Sequence, residues 1–170
     1  IITGSSGFIG LNLCHHLVEA GYEVFGVDIE PPNFELPGDV ETQILDLTTG
    51  PDLPDADAIV HLAAHSQVQS VVEDPGRAIE NIEMTKHILE EATRMDAFVI
   101  NASSRDVYGS ALMPSEAEVT ADRPNEYAAS KLGSEAIANA YRHTKDVPVT
   151  SVRLANVYGP MDTNRRVSPI

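Results

Sequence analysis

The stretch TGSSGFIG at residues 3–10 carries three evenly spaced glycines, Gly4, Gly7 and Gly10. The apolar residues before it predict the end of a strand, and Phe8–Ala20 predicts a helix. A glycine triplet at the turn from a strand into a helix is typical of loops whose backbone N–H groups hold a pyrophosphate. An ordinary strand-to-helix turn is the alternative interpretation.

Each position of this loop has a predicted role in binding a dinucleotide. Gly4 permits the tight turn, Gly7 lets backbone amides approach phosphate, and Gly10 lets the helix pack closely on the sheet. Phe8 and Ile9 open the helix, whose first turn carries a partial positive charge that would face the phosphates.

A carboxylate follows the next predicted strand. Tyr22–Val27 reads as that strand, and Asp28 ends it. A carboxylate at this position can accept hydrogen bonds from both ribose hydroxyls of an adenosine, and it would repel a 2′-phosphate. The sequence therefore predicts NAD rather than NADP as the cofactor.

Strands and helices alternate along the rest of the chain. Further strands are predicted at 42–45, 58–62, 97–102 and 147–154, and helices at about 75–94 and 126–143. Alternation at this spacing indicates βαβ units around a parallel sheet. The predicted fold is α/β, a Rossmann-type doubly wound parallel sheet in three α/β/α layers, with residues 1–170 as one NAD-binding domain.

The charge balance restricts the partners. The 26 acidic residues outnumber the 11 basic ones, and the formal net charge is −15. Nucleic acid is not predicted as a partner, because phosphate binding needs a basic face. Two interpretations of the acidity stay open: a surface adapted to high salt, where repulsion is screened, or simply an acidic cytosolic protein.

Several other features of the composition point to an intracellular protein. No apolar run approaches the roughly 20 residues of a membrane helix, so we expect a soluble, cytoplasmic protein with no membrane partner. The single cysteine, Cys14, is predicted to be a buried structural thiol. The six histidines lack metal-site spacing, so no metal is predicted.

The stretch YAASK at residues 127–131 opens the helix predicted at 126–143. Tyr127 and Lys131 are four residues apart and share one face of this helix. A tyrosine with a pKa of ~10 is a poor base at neutral pH, but a neighbouring ammonium and an oxidised nicotinamide favour the phenolate. Tyr127 could then take a proton from a substrate hydroxyl while a hydride leaves the same carbon. A purely structural helix is the alternative.

Polar residues also follow the strand predicted at 97–102. The stretch SSRDVYG, residues 103–109, comes directly after the apolar run at 97–100. Open α/β sheets bind their ligands where parallel strands end. We therefore expect part of the active site at this strand end.

Six stretches occur together in a characteristic order, and they span the whole chain: TGSSGFIG, HLAAHSQV (61–68), NIEMTKHILEEA (81–92), SSRDVYG, YAASK and VRLANVYGP (152–160). In this order they resemble the extended short-chain dehydrogenase/reductases, in particular the NAD-dependent epimerase/dehydratase group that acts on nucleotide sugars, such as UDP-glucose 4-epimerase.

The resemblance assigns roles by position. It implies that Tyr127 is the catalytic acid/base, that Lys131 lowers the Tyr127 pKa and holds the nicotinamide ribose, and that Ser104 hydrogen-bonds the reacting hydroxyl. Ser103 would lie under the nicotinamide, and Asn156 would contact the substrate diphosphate. The other cofactor-site positions that it implies are Asp46 and Leu47 at the adenine, Leu62, Ala63 and Ala64 along the cofactor, and Asn81 as a helix asparagine that supports the active-site geometry.

The stretch SSRDVYG bears on the reaction. Dehydratases and decarboxylating members of the family carry a Glu where this chain has Asp106, and 4,6-dehydratases have an Asp where this chain has Arg105. Epimerisation at C4 needs only one acid/base and the cofactor, so an epimerase is preferred. Asp106 stays a candidate acid/base, which leaves a 4,6-dehydratase or UDP-glucuronate decarboxylase as the alternative. An Arg105–Asp106 surface pair without a catalytic role is equally open.

Two hypotheses lie outside this group. A non-catalytic NAD-binding scaffold would be expected to lack Tyr127 or Lys131, and both are present. A simple carbonyl reductase would use the same pair, but Asn156 and the order of the motifs count against it.

The resemblance also carries expectations about the rest of the molecule. The chain is expected to be trimmed at its start and truncated after Val167–Ile170, without the C-terminal region that binds the sugar nucleotide. A homodimer is expected through the helices at 75–94 and 126–143. Its seam would hold Ile79, Ile82, Ala136, Ile137 and Ala140.

Overall fold

A computed structural model describes residues 1–111, 114–117 and 125–163, and within them six strands form one parallel sheet. The strands are Ile2–Thr3 (β1), Val24–Asp28 (β2), Val40–Ile44 (β3), Ala58–His61 (β4), Phe98–Ser104 (β5) and Val149–Leu154 (β6). Their order across the sheet is β3-β2-β1-β4-β5-β6. The predicted doubly wound sheet is confirmed. The chain end at 167–170, where a truncation is expected, lies outside the described residues.

Four helices and two 3-10 turns connect the described strands. The helices are Phe8–Glu19 (α1), Val68–Glu73 (α2), Gly76–Met95 (α3) and Glu126–Thr144 (α4), and the turns are Leu47–Thr49 and Arg105–Tyr108. The three long predicted helices are confirmed. The short α2 was not predicted, because its one buried residue, Val71, gives no helical periodicity to read.

The strands predicted at 22–27, 58–62 and 147–154 are observed at Val24–Asp28, Ala58–His61 and Val149–Leu154, and two other predicted strands also had the wrong ends. The strand predicted at 97–102 continues through Ser103 and Ser104, because these residues pair with Arg153 and Leu154 of β6. The strand predicted at 42–45 is β3, which pairs with all of β2 and begins at Val40. β3 lies at the edge of the sheet and is largely exposed, so its sequence shows no run of buried residues that would mark its first two residues as part of the strand.

The core lies on both faces of the sheet. Val27, Ile59 and Val99 belong to the cluster that packs against α3 and α4. On the other face, Cys14 of α1 packs in a second cluster with Ile2. Cys14 is buried, as predicted, and burial raises the pKa of its thiol to about 11. Neither α3 nor any other described helix combines the length and apolar character needed to cross a bilayer.

The strand order determines where a ligand can bind. β1 lies between β2 and β4, so the chain moves outward from β1 in one direction through β2 and β3 and in the other through β4, β5 and β6. Ligands of doubly wound sheets bind beyond the carboxyl ends of the strands at such a reversal point. This fold therefore puts the glycine loop after β1 beside the loops that follow β4 and β5.

Candidate active site

The glycine loop closes tightly between β1 and α1. Gly4 has a left-handed backbone with φ of +72°, and its amide donates to the Val27 carbonyl at 2.7 Å. A Cβ on Gly4 would lie 2.8 Å from the Ala63 amide nitrogen. A Cβ on Gly10 would collide with the Gly4 carbonyl oxygen. Glycine at position 4 therefore lets the loop approach the residues after β4, and glycine at position 10 lets α1 pack closely on the glycine loop.

The N-terminus of α1 is built to receive an anion. Its N-cap residue is Gly7, which offers no side chain to the first-turn amides. Phe8 and Ile9 follow directly and line the cleft. Uncapped amides and the helix dipole together favour a phosphate group at this place. The residues present thus fit the pyrophosphate of a dinucleotide.

The Asp28 carboxylate is held at the end of β2. Its Oδ2 accepts a hydrogen bond from the Ser6 amide at 2.9 Å, and its Oδ1 accepts one from the Glu30 amide at 3.1 Å. Residues 29–31, Ile-Glu-Pro, supply no cation for a 2′-phosphate. This geometry fits an adenosine ribose with free hydroxyls.

A cavity of about 420 Å³, which we call the Asp28 cavity, opens beside this carboxylate. The predicted residues Asp46, Leu47, Leu62, Ala63 and Ala64 all line it. Hydrogen bonds from the side chain and the amide of Thr48 lower the pKa of the Asp46 carboxylate.

Four other residues that line the Asp28 cavity were not predicted as site residues. Phe34, His65, Glu80 and Met84 line it. Glu80 and Met84 are four residues apart on α3 and therefore share one helix face. The sequence alone does not show that this face lines the cleft. Phe34 comes from an irregular proline-rich loop, where no periodicity exists.

A second cavity, about 390 Å³ in volume, is called the Tyr127 cavity. The structure brings together in its lining six residues predicted for the site: Ser103, Ser104, Asp106, Tyr127, Lys131 and Asn156. Gly4, Gly7 and Phe8 line both cavities, so the two are parts of one cleft that passes the glycine loop. The cleft has the elongated form that a dinucleotide requires.

Lys131 is the charged group at the floor of the Tyr127 cavity. Only 8% of it is exposed, and its Nζ donates to the Ala102 carbonyl at 3.0 Å. The same Nζ lies 5.9 Å from the centroid of the Tyr127 ring. Desolvation lowers the pKa of Lys131 to about 8. The ammonium is therefore close enough to stabilise a Tyr127 phenolate.

The two serines at the end of β5 differ in their contacts. Ser104 Oγ accepts a hydrogen bond from the Asp106 amide at 3.1 Å and so caps the second 3-10 turn. The Ser103 hydroxyl is buried and has no hydrogen bond of regular geometry among the described residues. Ser104 thus presents its hydroxyl at the cavity, whereas Ser103 points into the protein behind it.

Arg105 and Asp106 form a loose pair. The Arg105 Nε lies 3.8 Å from Asp106 Oδ1, with 59% and 34% of the two side chains exposed. An exposed ion pair at this distance contributes little to stability. Asp106 nevertheless lines the Tyr127 cavity, where its carboxylate can reach a ligand.

Asn81 was grouped with the cofactor-binding residues, and the structure brings it to neither cavity. It is 2% exposed, and its Oδ1 accepts a hydrogen bond from the His65 amide at 2.8 Å. Its Nδ2 donates to Ser130 Oγ at 3.1 Å. Asn81 therefore braces the loop after β4 against the helix that carries Tyr127, which is a supporting position.

His61 lies in the protein interior beneath the cleft. Its Nδ1 is 2.8 Å from Thr3 Oγ1, and its Nε2 is 3.3 Å from Thr85 Oγ1. Burial, with a smaller contribution from the Lys131 charge, lowers the His61 pKa to about 3, so the ring is neutral. Across the described part of the chain, no three histidine, cysteine or carboxylate side chains cluster as metal ligands would.

The fold and the site together define a dinucleotide-dependent short-chain dehydrogenase/reductase domain. The defining features are the doubly wound sheet, the glycine loop at its reversal point, the acidic residue after β2 and the Tyr–Lys pair at the cleft. The comparison with known families agrees. The chain belongs to the NAD-dependent epimerase/dehydratase family, whose sequence profile matches residues 1–170. NAD is the cofactor of this family, and the residues of the cleft fit it.

Relatives of known annotation differ in their reactions. The chain is 30% identical over 184 residues to a probable UDP-glucuronate 4-epimerase of Rhizobium meliloti, with 94% of the chain and 53% of the relative covered. It is 33% identical over 180 residues to a UDP-N-acetyl-alpha-D-glucosaminuronate decarboxylase of Bacillus cytotoxicus, with 94% and 54% covered. The chain thus spans about half the length of the curated relatives that it matches.

A solved structure shows the same fold in a third reaction class. An NAD-dependent NDP-hexosamine 5,6-dehydratase, TunA, which is involved in tunicamycin biosynthesis, superposes with a TM-score of 0.82 at 32% identity. The match covers 94% of this chain and 55% of that structure. Family membership therefore defines the cofactor and the fold, while epimerases, dehydratases and decarboxylases all remain among the similar proteins.

Proposed function

We propose that the protein is an NAD-dependent nucleotide-sugar 4-epimerase, which oxidises and re-reduces C4 of a sugar nucleotide such as UDP-glucose through a 4-keto intermediate. The observation that carries the proposal is the convergence of Ser104, Tyr127 and Lys131 in one cavity beside the glycine loop. Among the described residues of that lining, Asp106 is the single acidic side chain. Epimerisation needs one acid/base, and Tyr127 supplies it.

The chain's own residues would hold the cofactor along the cleft. The amides of α1 would bind the pyrophosphate, the Asp28 carboxylate the adenosine ribose, and Lys131 the nicotinamide ribose. NAD, when bound, supplies the acceptor and later the donor of the C4 hydride.

Tyr127 and its neighbours would manage the proton. Lys131 favours the Tyr127 phenolate, which removes the proton of the C4 hydroxyl and later returns it. Ser104 already accepts a hydrogen bond from the Asp106 amide, so its own O–H can donate to the reacting oxygen. This donor would stabilise the alkoxide and keep the reacting carbon in place.

The alternative is a nucleotide-sugar 4,6-dehydratase or UDP-glucuronate decarboxylase. The observation in its favour is Asp106, which is partly exposed in the same cavity and could act as a second acid/base. Its weakness is Arg105, which stands next to that acid and cannot act as a proton donor, because a guanidinium keeps its proton in proteins.

The test is the product formed by the full-length protein from UDP-glucose, UDP-glucuronate and dTDP-glucose with NAD, analysed by NMR. Inversion at C4 without loss of water or carbon dioxide is expected. Release of a 4-keto-6-deoxy sugar or of a pentose would establish the alternative. No change in any nucleotide sugar would contradict the proposal.

Two substitutions probe the mechanism in the same assay. Tyr127→Phe should lower kcat by roughly 10²–10⁴-fold, the usual contribution of general acid/base catalysis, with NAD binding unchanged because the ring remains. Asp106→Asn separates the reactions: an epimerase should stay within a few-fold of wild type, whereas a dehydratase or decarboxylase should stop at the 4-keto stage. A full-rate Tyr127→Phe enzyme would refute the assigned base.

A further inference from the structure

One arginine ties together the elements that surround the Tyr127 cavity. Arg153 of β6 forms an ion pair with Glu135 of α4, and only 13% and 14% of the two side chains are exposed. The guanidinium donates twice, from Nε to Oε1 at 2.9 Å and from Nη2 to Oε2 at 2.8 Å. Two parallel hydrogen bonds fix the relative orientation of both groups, which a single contact does not.

The same guanidinium reaches two further segments. Its carbon lies 4.7 Å from the centroid of the Tyr108 ring in the second 3-10 turn, a stacking distance. Its Nη1 donates to the Glu116 carbonyl at 3.1 Å. A single side chain therefore links a strand, a helix, the 3-10 turn after β5 and the segment at 114–117.

These contacts lie directly behind the reacting groups. Glu135 follows Lys131 by four residues on α4, so both project from one helix face. Arg153 is the register partner of Ser103, and Ser104 follows one residue later at the cavity. Burial alone would raise the pKa of the Glu135 carboxyl, but the hydrogen bonds and the charge of Arg153 outweigh burial and lower it. Glu135 is thus charged, and both of its carboxylate oxygens are held by Arg153.

We infer that Arg153 is a positioning residue, which locks the Ser104 strand end and the Tyr127–Lys131 helix at a fixed separation during catalysis. The expected effect on kcat rests on the proposed function. The effect on the mobility of the strand end and the helix can be measured without turnover. Misplacing reacting groups by about 1 Å can cost on the order of 10²-fold in rate, so a modest loosening here has a large effect.

Arg94 provides a matched control. It also pairs with several acidic partners, donating to Asp55 at 2.8 Å and to Glu91 at 3.0 Å. It is more exposed, at 40%, and it lines neither the Asp28 cavity nor the Tyr127 cavity. Replacing either arginine by lysine keeps the charge but removes the planar, bidentate donor. Since the chemical change is the same in both variants, any difference between them is due to the position of the arginine in the structure.

The first measurement is hydrogen–deuterium exchange of the NAD-bound full-length protein. Arg153→Lys should speed exchange of the amides at 103–111 by about tenfold or more, whereas Arg94→Lys should leave them at the wild-type rate. Tyr108→Leu, which removes the stacked ring and leaves the ion pair, should act in the same direction with a smaller effect. Equal exchange in all four proteins would overturn the inference.

The second measurement is turnover of UDP-glucose. Arg153→Lys should lower kcat by between tenfold and a hundredfold with the NAD dissociation constant unchanged. Reduced cofactor should accumulate on the enzyme, because the 4-keto sugar is no longer positioned to accept the hydride back from it. Arg94→Lys should match wild type in both. If Arg153→Lys loses NAD affinity and kcat equally, a general structural role is established instead. If wild type turns over no nucleotide sugar, the proposed function fails, and the exchange comparison alone decides the role of Arg153.

Discussion

At the scale of single residues, Lys131 combines a buried position with a lowered pKa. Because desolvation lowers its pKa from 10.5 to about 8, Lys131 should lose its proton in the folded protein well before it would in the unfolded chain. Below about pH 8 the buried charge lowers the free energy of unfolding by its full amount. The free energy of unfolding then increases as the pH rises from about 8 toward 10.5, because the folded protein releases this proton first. The charged form is the one that favours the Tyr127 phenolate, so kcat/KM should decline above about pH 8.

NMR of protein with ¹³C-labelled lysine side chains can measure this directly in the absence of cofactor. One signal should titrate near pH 8 and vanish in Lys131→Arg. Lys86 is the internal control, because its hydrogen bond to Glu90 raises its pKa above the usual value. If the signal assigned to Lys131 titrates with an ordinary lysine midpoint, the desolvated site described above is wrong.

Residues differ in how well the sequence reveals them. Tyr127 and Lys131 were predicted because they lie in a short local pattern whose chemistry can be read directly, and Ser104 was predicted from the family resemblance. The Arg153–Glu135 pair was not predicted, because it joins a strand and a helix that only the sheet register brings together. The supporting role of Asn81 was implied by the resemblance, but its hydrogen-bond partners, the His65 amide and Ser130 Oγ, could be seen only in the structure.

At the scale of elements, the packing of α1 on the glycine loop can be tested with one methyl group. Gly10→Ala would press its Cβ against the Gly4 carbonyl oxygen and within 2.8 Å of Ser5 Cα. Overpacking of this kind typically costs about 1–3 kcal/mol of unfolding free energy, and NAD affinity should fall with it. Urea unfolding and NAD titration measure the two effects.

Gly38→Ala is the matched control, because a Cβ at Gly38 meets no heavy atom within 4 Å. Its unfolding free energy should stay within about 0.5 kcal/mol of wild type. A Gly10→Ala protein that is as stable as Gly38→Ala and binds NAD normally would show that the close approach of α1 is not needed.

The long amphipathic helices were predicted better than the short or exposed elements. α3 and α4 repeat their buried residues at helical spacing over many turns, and both were predicted within a few residues of their ends. α2 is too short for a period, and β3 is exposed on the sheet edge. The extension of β5 through Ser104 depends on a neighbouring strand far away in the sequence, which local pattern cannot supply.

At the scale of the whole molecule, we expect a homodimer formed by the paired helices α3 and α4. Ile79 is 65% exposed, and Ala136 and Ala140 are exposed too, so they can meet a second copy. Ile137, also expected in the seam, packs partly against the core of its own chain. We therefore expect Ile79, Ala136 and Ala140 to contribute most of the area of such a seam.

Sedimentation velocity in high salt should give a dimer for wild type and a monomer for Ile79→Arg, because a buried unpaired charge would disrupt the seam. Ile44→Arg introduces the same change at a 53% exposed isoleucine of β3, which belongs to neither α3 nor α4, and should stay dimeric. A monomeric wild type at tens of micromolar would contradict the expectation.

The net charge of −15 belongs to the molecule as a whole. If it is an adaptation to high salt, the melting temperature should rise steeply between low and molar KCl, as screening weakens self-repulsion. Differential scanning fluorimetry across that range measures the effect, with sucrose at matched osmolality to control for general solute exclusion. A flat melting temperature would favour the interpretation of a merely acidic protein.

The sheet order β3-β2-β1-β4-β5-β6 also has a consequence for biosynthesis. Residues 1–61 supply four adjacent strands, and β5 and β6 are added later at one edge. Since synthesis runs from the N-terminus, the glycine loop, Asp28 and Asp46 leave the ribosome before Tyr127 and Lys131. The residues proposed to hold the adenosine half of the cofactor are therefore made first, and the residues proposed to carry the reaction are made last.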